Sequence, residues 1–407
     1  MCAAHRRRIS RRTFAALLLV VLALAAWLLG TPGFDARDWP RFVTWSWSLR
    51  RVDRVAAYDD VRWVDLRHLD LRQAPGNLLP TLGFNRRTRW PSAERLPPGF
   101  DPESELTRAM NPGLGVRALH RQGITGRGVH VALIDFNVVG HHPEYASQLA
   151  SVRRLPGVQA HHGSMHGPAV LSLLAGRQCG VAPEARVHLF ATTDPGGDAA
   201  EHAQAIDWVL QANRQLPASE RIRVISISAA PSGRSVYRYR NGDAYDRAFD
   251  RAEAAGVLVI DGTEHHGFVG PCTLDLADPE DPARCSPVPA RGEPGYFAGR
   301  VLCPTSPRTT AEEFGPRVAG YQHCGLQRET HGAAGSSWSM PYAAGVAALA
   351  WQIRPDLSPQ QMREALRTTS CRLPAGELII NPPALIDHIR RTVTVPADPS
   401  PRTSSPN

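Results

Sequence analysis

VHVALID (Val129–Asp135) is a run of strand-favouring, mostly apolar residues that ends on a carboxylate, and its reading decides the fold. A strand covered on one face alternates apolar and polar residues, whereas a strand covered on both faces is apolar nearly throughout, as this one is. Two further runs read the same way: VISI (Val224–Ile227), which stops at Ser228, and VLVI (Val257–Ile260). Ala199–Gln215 and Ala244–Ala255, lying between them, show the 3.6-residue period of amphipathic helices, and each leads into the next strand. Strands alternating with helices over residues 106–390 predict an α/β fold of three layers, with a mostly parallel central sheet and helices on both faces. Functional groups in such sheets gather beyond the C-terminal ends of the strands, where Asp135 stands.

Outward from this body the sequence changes character. Residues 31–105 mix Trp, Arg and Pro with little periodicity; Val61–Leu71 (VRWVDLRHLDL) is the one stretch that reads as a short strand or helix. This extension reads equally as a prosegment, a spacer or a wrapping segment. Residues 1–30 form a targeting device: a basic flank precedes sixteen uninterrupted apolar residues, Phe14–Leu29. At 1.5 Å per residue that run approaches a bilayer span, with the basic end on the cytoplasmic side and everything after Gly30 outside. Ala23-Leu24-Ala25 has the form of a cleavage site, but the bulky Trp27, Leu28 and Leu29 that follow suit an uncleaved anchor better. The expected location is extracytoplasmic, either anchored through residues 14–29 or secreted. The tail, residues 391–407, is rich in Pro and Ser and is expected to be disordered.

Composition excludes other classes. In 407 residues, 43% are hydrophobic and 21% charged, which is enough for a substantial core. The formal charge of +8 falls to +3 without Arg6, Arg7, Arg8, Arg11 and Arg12, too little and too dispersed for a nucleic-acid footprint. Apart from Cys2, the six cysteines Cys179, Cys272, Cys285, Cys303, Cys324 and Cys371 are even in number, and none has zinc-knuckle spacing. In an exported chain they are expected to form disulfides, whose connectivity the sequence leaves open.

Three segments in order carry a resemblance. GITGRGVHVALIDFNVVGHHP (Gly123–Pro143) holds Asp135, MHGPAVLSLLAG (Met165–Gly176) opens on His166, and GSSWSMPYAAGVAAL (Gly335–Leu349) holds Ser337. Together they resemble the subtilisin-like serine proteases, the subtilases. The resemblance implies a subtilisin-like fold with Asp135, His166 and Ser337 as the catalytic triad of a serine endopeptidase. The chemistry fits: a hydroxyl needs a base to become a nucleophile, imidazole has a suitable pKa, and a carboxylate fixes the imidazole tautomer. The family resemblance further implies that SISAAPSG (Ser226–Gly233) is a substrate-edge strand, with Ser228, Ala229 and Ala230 pairing with an extended peptide.

The sequence also departs from the family. Phe136 and Asn137 follow Asp135 where Thr-Gly is common, and Pro168-Ala169 replaces the usual Thr-His after His166-Gly167. Where the family places an oxyanion asparagine, counting along DGTEHHGFVGPC (Asp261–Cys272) gives His265, with Thr263 or His266 as alternatives. These departures motivate a rival reading, a binding or scaffold protein of the same fold with impaired catalysis; a second rival is an esterase or acyl transferase that uses the same triad. Calcium often accompanies the family, but no Asp-rich loop stands out, so neither a cofactor nor a metal ligand is assigned.

Overall fold

The computed structural model describes residues 50–75, 78–160, 164–193, 197–234, 239–288, 299–314, 318–325 and 336–392. The apolar run 14–29 and the tail beyond residue 392 lie outside these residues. Among those described, no helix is long and apolar enough to cross a membrane.

Within the extension the only sheet among the described residues is a two-stranded parallel pairing, Arg50 with Val64 and Arg51 with Asp65. Residues 50–110 wrap the body through the short strands β1 (Arg50–Arg51), β2 (Val64–Asp65) and β3 (Phe84–Asn85) and the helix α1 (Pro102–Arg108). In place of one strand or helix, Val61–Leu71 belongs to a turn repeated at a five-residue step: Asp60-Val61-Arg62, Asp65-Leu66-Arg67 and Asp70-Leu71-Arg72. Each aspartate takes a hydrogen bond from the guanidinium two residues on. Each central residue turns inward, so Val61, Leu66 and Leu71 stack into a small apolar cluster with Leu82, Phe84 and Leu106.

After α2 (Val116–Arg121) comes the central sheet, built of β4 (His130–Asp135), β5 (Leu149–Arg154), β6 (Arg186–Ala191), β7 (Ile222–Ile227) and β8 (Leu258–Ile260). Its order is β5-β6-β4-β7-β8, and every pairing is parallel. Alternate residues feed two cores. Val131, Leu133, Val187 and Leu189 face a core shared with α3 (His166–Ala175) and with the long helix Ser336–Ile353 that follows later in the chain. Ala132, Ile134, Phe190 and Ile225 face the amphipathic helices α4 (Ala199–Gln215) and α5 (Gly242–Ala254). The three layers expected from the sequence are therefore present, and the three quoted strand runs and both helices appear within two residues of their expected limits.

A second sheet, of β9 (Val269–Thr273), β10 (Ser286–Pro287), β11 (Val301–Ser306), β14 (Cys371–Arg372) and β15 (Leu378–Ile379), extends the body in the order β10-β9-β11-β15-β14. Between β11 and β14 run the hairpin strands β12 (Arg308–Phe314) and β13 (Val318–Cys324), the long helix α6 (Ser336–Ile353) and α7 (Pro359–Thr368); α8 (Pro382–Arg391) closes the described chain. The wrap docks on the hairpin. Phe84 and Asn85 pair with His323 and Gln322, the Phe84 ring stacks on His323 at 4.7 Å, and Asn85 donates to the buried Glu312 at 2.9 Å.

One expectation from composition is not met: Cys179, Cys272, Cys285, Cys303, Cys324 and Cys371 are all free thiols. Four of them are buried in core clusters, where a free cysteine packs as a small apolar side chain. Cys272 and Cys303 sit on neighbouring strands one residue out of register, since Cys303 pairs with Pro271 and Cys272 with Pro304.

Candidate active site

Asp135 is the last residue of β4 and is 2% exposed. Its Oδ1 accepts from the Phe136 amide at 2.8 Å and from His166 Nδ1 at 2.7 Å. His166 opens α3, and Ser164 prepares that start by accepting from the Gly167 amide at 3.0 Å. Gly167 is required there: a Cβ would lie 2.3 Å from the Phe136 carbonyl oxygen, so only glycine lets the helix start approach the strand end. Pro168 lies in the first turn, where its missing N–H leaves no intrahelical bond unmade. Burial opposes charge on the imidazole, but the Asp135 charge and hydrogen bond outweigh it and hold the His166 pKa above its ordinary value.

Ser337 is in the first turn of α6, an 18-residue helix interrupted by Pro341. Proline has no N–H to donate to the carbonyl four residues back, which is that of Ser337. The orphaned carbonyl instead accepts from Ser228 Oγ at 2.8 Å. Proline and serine thus tie the start of α6 to the segment that follows β7. The Ser337 hydroxyl in turn donates to the Ser228 carbonyl at 3.4 Å, and no hydrogen bond joins it to His166 among the described residues. The imidazole nevertheless lies beside the next residue, its ring stacked on Trp338 at 5.3 Å with 30° between planes. Further along α6, a Cβ on Gly345 would meet Val181 at 2.6 Å, so this glycine lets the helix press into the core.

The other expected site residues are placed as follows. Ser228 is joined to Ser337 in both directions, while the Ala229 carbonyl accepts from the Gly262 amide at 2.9 Å and Ala230 is buried. His265 is exposed, and its ring faces Arg234 at 2.9 Å; no described contact brings it to Ser337 or His166. Thr263 is fully buried and its hydroxyl is already used, donating to Asp261 at 2.9 Å and accepting from the His266 amide at 2.9 Å. His266 pairs with Asp246 at 2.9 Å. Ser339 donates to the Cys303 carbonyl at 3.0 Å in the core. Beside Asp135 a cleft of about 240 Å³ is lined by Phe136, Asn137, Val158, Ser164, Thr192 and Thr193. Among the described residues, no group of three or more His, Cys, Asp or Glu is arranged to hold a metal ion.

Three contacts of this site went unread in the sequence: the Trp338 stack, the Ser164 cap and the bond between Ser228 and Ser337. Counting four residues back from Pro341 would have found the last. Bulky aromatic residues directly after both Asp135 and Ser337 were a signal for the first.

The subtilase family model matches residues 126–261 and 316–394, together more than half of the chain. The subtilisin-like protease PopC of Myxococcus xanthus is 25% identical over 289 residues, covering 64% of this chain and 59% of that protein. A thermostable alkaline protease of Halalkalibacterium halodurans is 23% identical over 290 residues, covering 66% of this chain and 69% of its own. The chain therefore spans less than two thirds of PopC. Among solved structures, proteases from Pseudoalteromonas arctica PAMC 21717 share the fold, with a TM-score of 0.51 at 18% identity over 71% of this chain and 98% of theirs. By its two matched segments and its three-layer fold, the chain belongs to the subtilase family.

Proposed function

We propose that this chain is an exported serine endopeptidase that hydrolyses peptide bonds through an acyl-enzyme on Ser337. The observation that carries the proposal is the 2.7 Å bond between Asp135 and His166, made by an imidazole that lies against the residue next to Ser337. In this reading the Ser337 hydroxyl turns from Ser228 to His166 as substrate binds, in keeping with catalytic hydrogen bonds that tighten only in the complex. His166 Nε2 takes the hydroxyl proton as Oγ bonds to the scissile carbonyl, and Asp135 stabilises the imidazolium. Collapse of the tetrahedral intermediate breaks the C–N bond, and the same proton passes to the leaving amine. Water then repeats the sequence on the acyl-enzyme.

Backbone N–H groups in the first turn of α6, which have no carbonyl partner within the helix, are the donors we assign to the oxyanion that develops on the carbonyl attacked by Ser337. Ser228 and Ala230 supply the backbone edge for an extended peptide, the Ala229 carbonyl being taken by Gly262. The cleft beside Phe136 accepts a side chain of that peptide. Export rests on the sequence of residues 1–30, with residues 14–29 as membrane anchor or signal. The test is digestion of an unfolded protein such as casein by the chain and by its Ser337→Ala variant, with the peptides identified by mass. Internal cleavage by the parent alone supports an endopeptidase; equal digestion by both overturns it.

A further inference from the structure

Trp338 has no part in the proton transfers described above, yet its indole lies on the His166 ring, centroids 5.3 Å apart and planes 30° from parallel. On the same imidazole Phe136 stands edge-on at 6.0 Å and 88°. Trp338 is 6% exposed, and its buried indole N–H has no hydrogen-bond partner among the described residues. Buried indole N–H groups ordinarily find an acceptor, so this ring is placed by its face and not by its polar edge.

The hydrogen bond from Nδ1 to Asp135 fixes one point of the imidazole but leaves the ring free to swing about that bond. A stacked indole removes this freedom. It also presents the negative face of a π-system to a ring that becomes a cation when it takes a proton, an attraction absent while the ring is neutral. Asp135 is the charged group acting on His166, at the end of β4. Neither α3 nor α6 contributes another: α3 (HGPAVLSLLA) has no ionisable residue besides His166, and the one in α6 (SSWSMPYAAGVAALAWQI) is Tyr342, whose buried hydroxyl is held well above its ordinary range and so stays neutral.

We infer that Trp338 is a positioning residue for His166, with Phe136 at the ring's edge: it holds the plane of the imidazole and favours the imidazolium formed as Ser337 is deprotonated. The inference rests on the proposed catalytic reading, and it has a readout independent of turnover. In the Ser337→Ala chain, which cannot form an acyl-enzyme, the His166 ring is followed by NMR from pH 4 to 9. Trp338→Leu keeps bulk without a π face and is expected to lower the His166 pKa by about 0.5–1 pH unit, and Trp338→Phe by less. In chains that retain Ser337, Trp338→Leu is expected to cut kcat about tenfold with KM nearly unchanged and to move the acid limb of kcat/KM to lower pH; Phe restores part of both.

Should the leucine variant fail to fold, 5-fluorotryptophan in the otherwise unaltered chain decides, with the Trp338 signal assigned through Trp338→Phe. It is expected to shift with the His166 midpoint. A fluorine signal indifferent to pH, or a His166 pKa unmoved in Trp338→Leu, overturns the inference. A chain that never hydrolyses peptide while Trp338 still tracks His166 refutes the catalytic reading and leaves the contact standing.

Discussion

Among the described residues stand two aspartate–histidine pairs of nearly the same length, Asp135–His166 at 2.7 Å and Asp246–His266 at 2.9 Å. The first joins the end of β4 to the start of α3 and uses Nδ1, which leaves Nε2 outside that bond on a ring stacked against Trp338, the residue after Ser337. The second joins α5 to the loop after β8 and uses Nε2; its ring lies flat on Phe249 at 4.1 Å, and its backbone amide is bound to Thr263. A carboxylate bonded to an imidazole is therefore not a site in itself. What differs is which nitrogen remains free and what that nitrogen faces, and this depends on the elements that deliver the two residues.

The sharpest way to break the comparison is to remove each histidine. His166→Ala is expected to lower kcat on the order of 10⁵-fold or more, and His266→Ala to leave it within about threefold, in casein or peptide hydrolysis. Comparable losses from both would put the second pair in the mechanism.

Removing each carboxylate separates the pairs by rate and by pH. Asp135→Asn is expected to cost about 10⁴-fold in kcat, because the imidazole loses its tautomer and its charge partner. In the proposed mechanism His166 acts as a neutral base, so kcat/KM is expected to fall as pH drops through a pKa that Asp135 holds up. Without Asp135 that pKa falls and the acid limb moves to lower pH. Asp246→Asn is expected to leave the limb in place, which a pH–rate profile of both variants checks.

Smaller effects sharpen the picture of what delivers the serine. Ser228→Ala leaves the Ser337 carbonyl without the donor that Pro341 cannot supply, and should lower stability by about 1–2 kcal/mol in urea unfolding. The smallest effect is expected at the position where counting places the oxyanion side chain. His265 is exposed against Arg234, so His265→Asn should change kcat/KM by no more than about twofold. A tenfold gain would show that position 265 reaches the substrate.

Legibility followed the length scale of the signal. VHVALID, VISI and VLVI were readable as doubly covered strands because the parallel sheet makes each of them apolar over its whole length. Asp135, His166 and Ser337 stood out as candidates because each sits in a local motif with its own strand end or helix start; the structure joins the first two directly and bonds the third to Ser228. Residues 50–110 were not, since the Asp-x-Arg turn advances by five residues and matches neither the strand period of 2 nor the helix period of 3.6. Cysteine parity misled for a different reason: an even count says nothing about which thiols the strands bring together, and here they pack as apolar core. The oxyanion position was reached by counting alone. The structure puts that residue, His265, exposed against Arg234, and no described contact brings it to Ser337 or His166.

The central claim is that Ser337 is a nucleophile activated by His166. Labelling the full chain with a fluorophosphonate probe and locating the adduct by peptide mass tests it most directly. The account predicts one adduct, on Ser337, that is lost in His166→Ala and kept in His266→Ala. A folded chain that takes no label, or takes it on another residue, contradicts it.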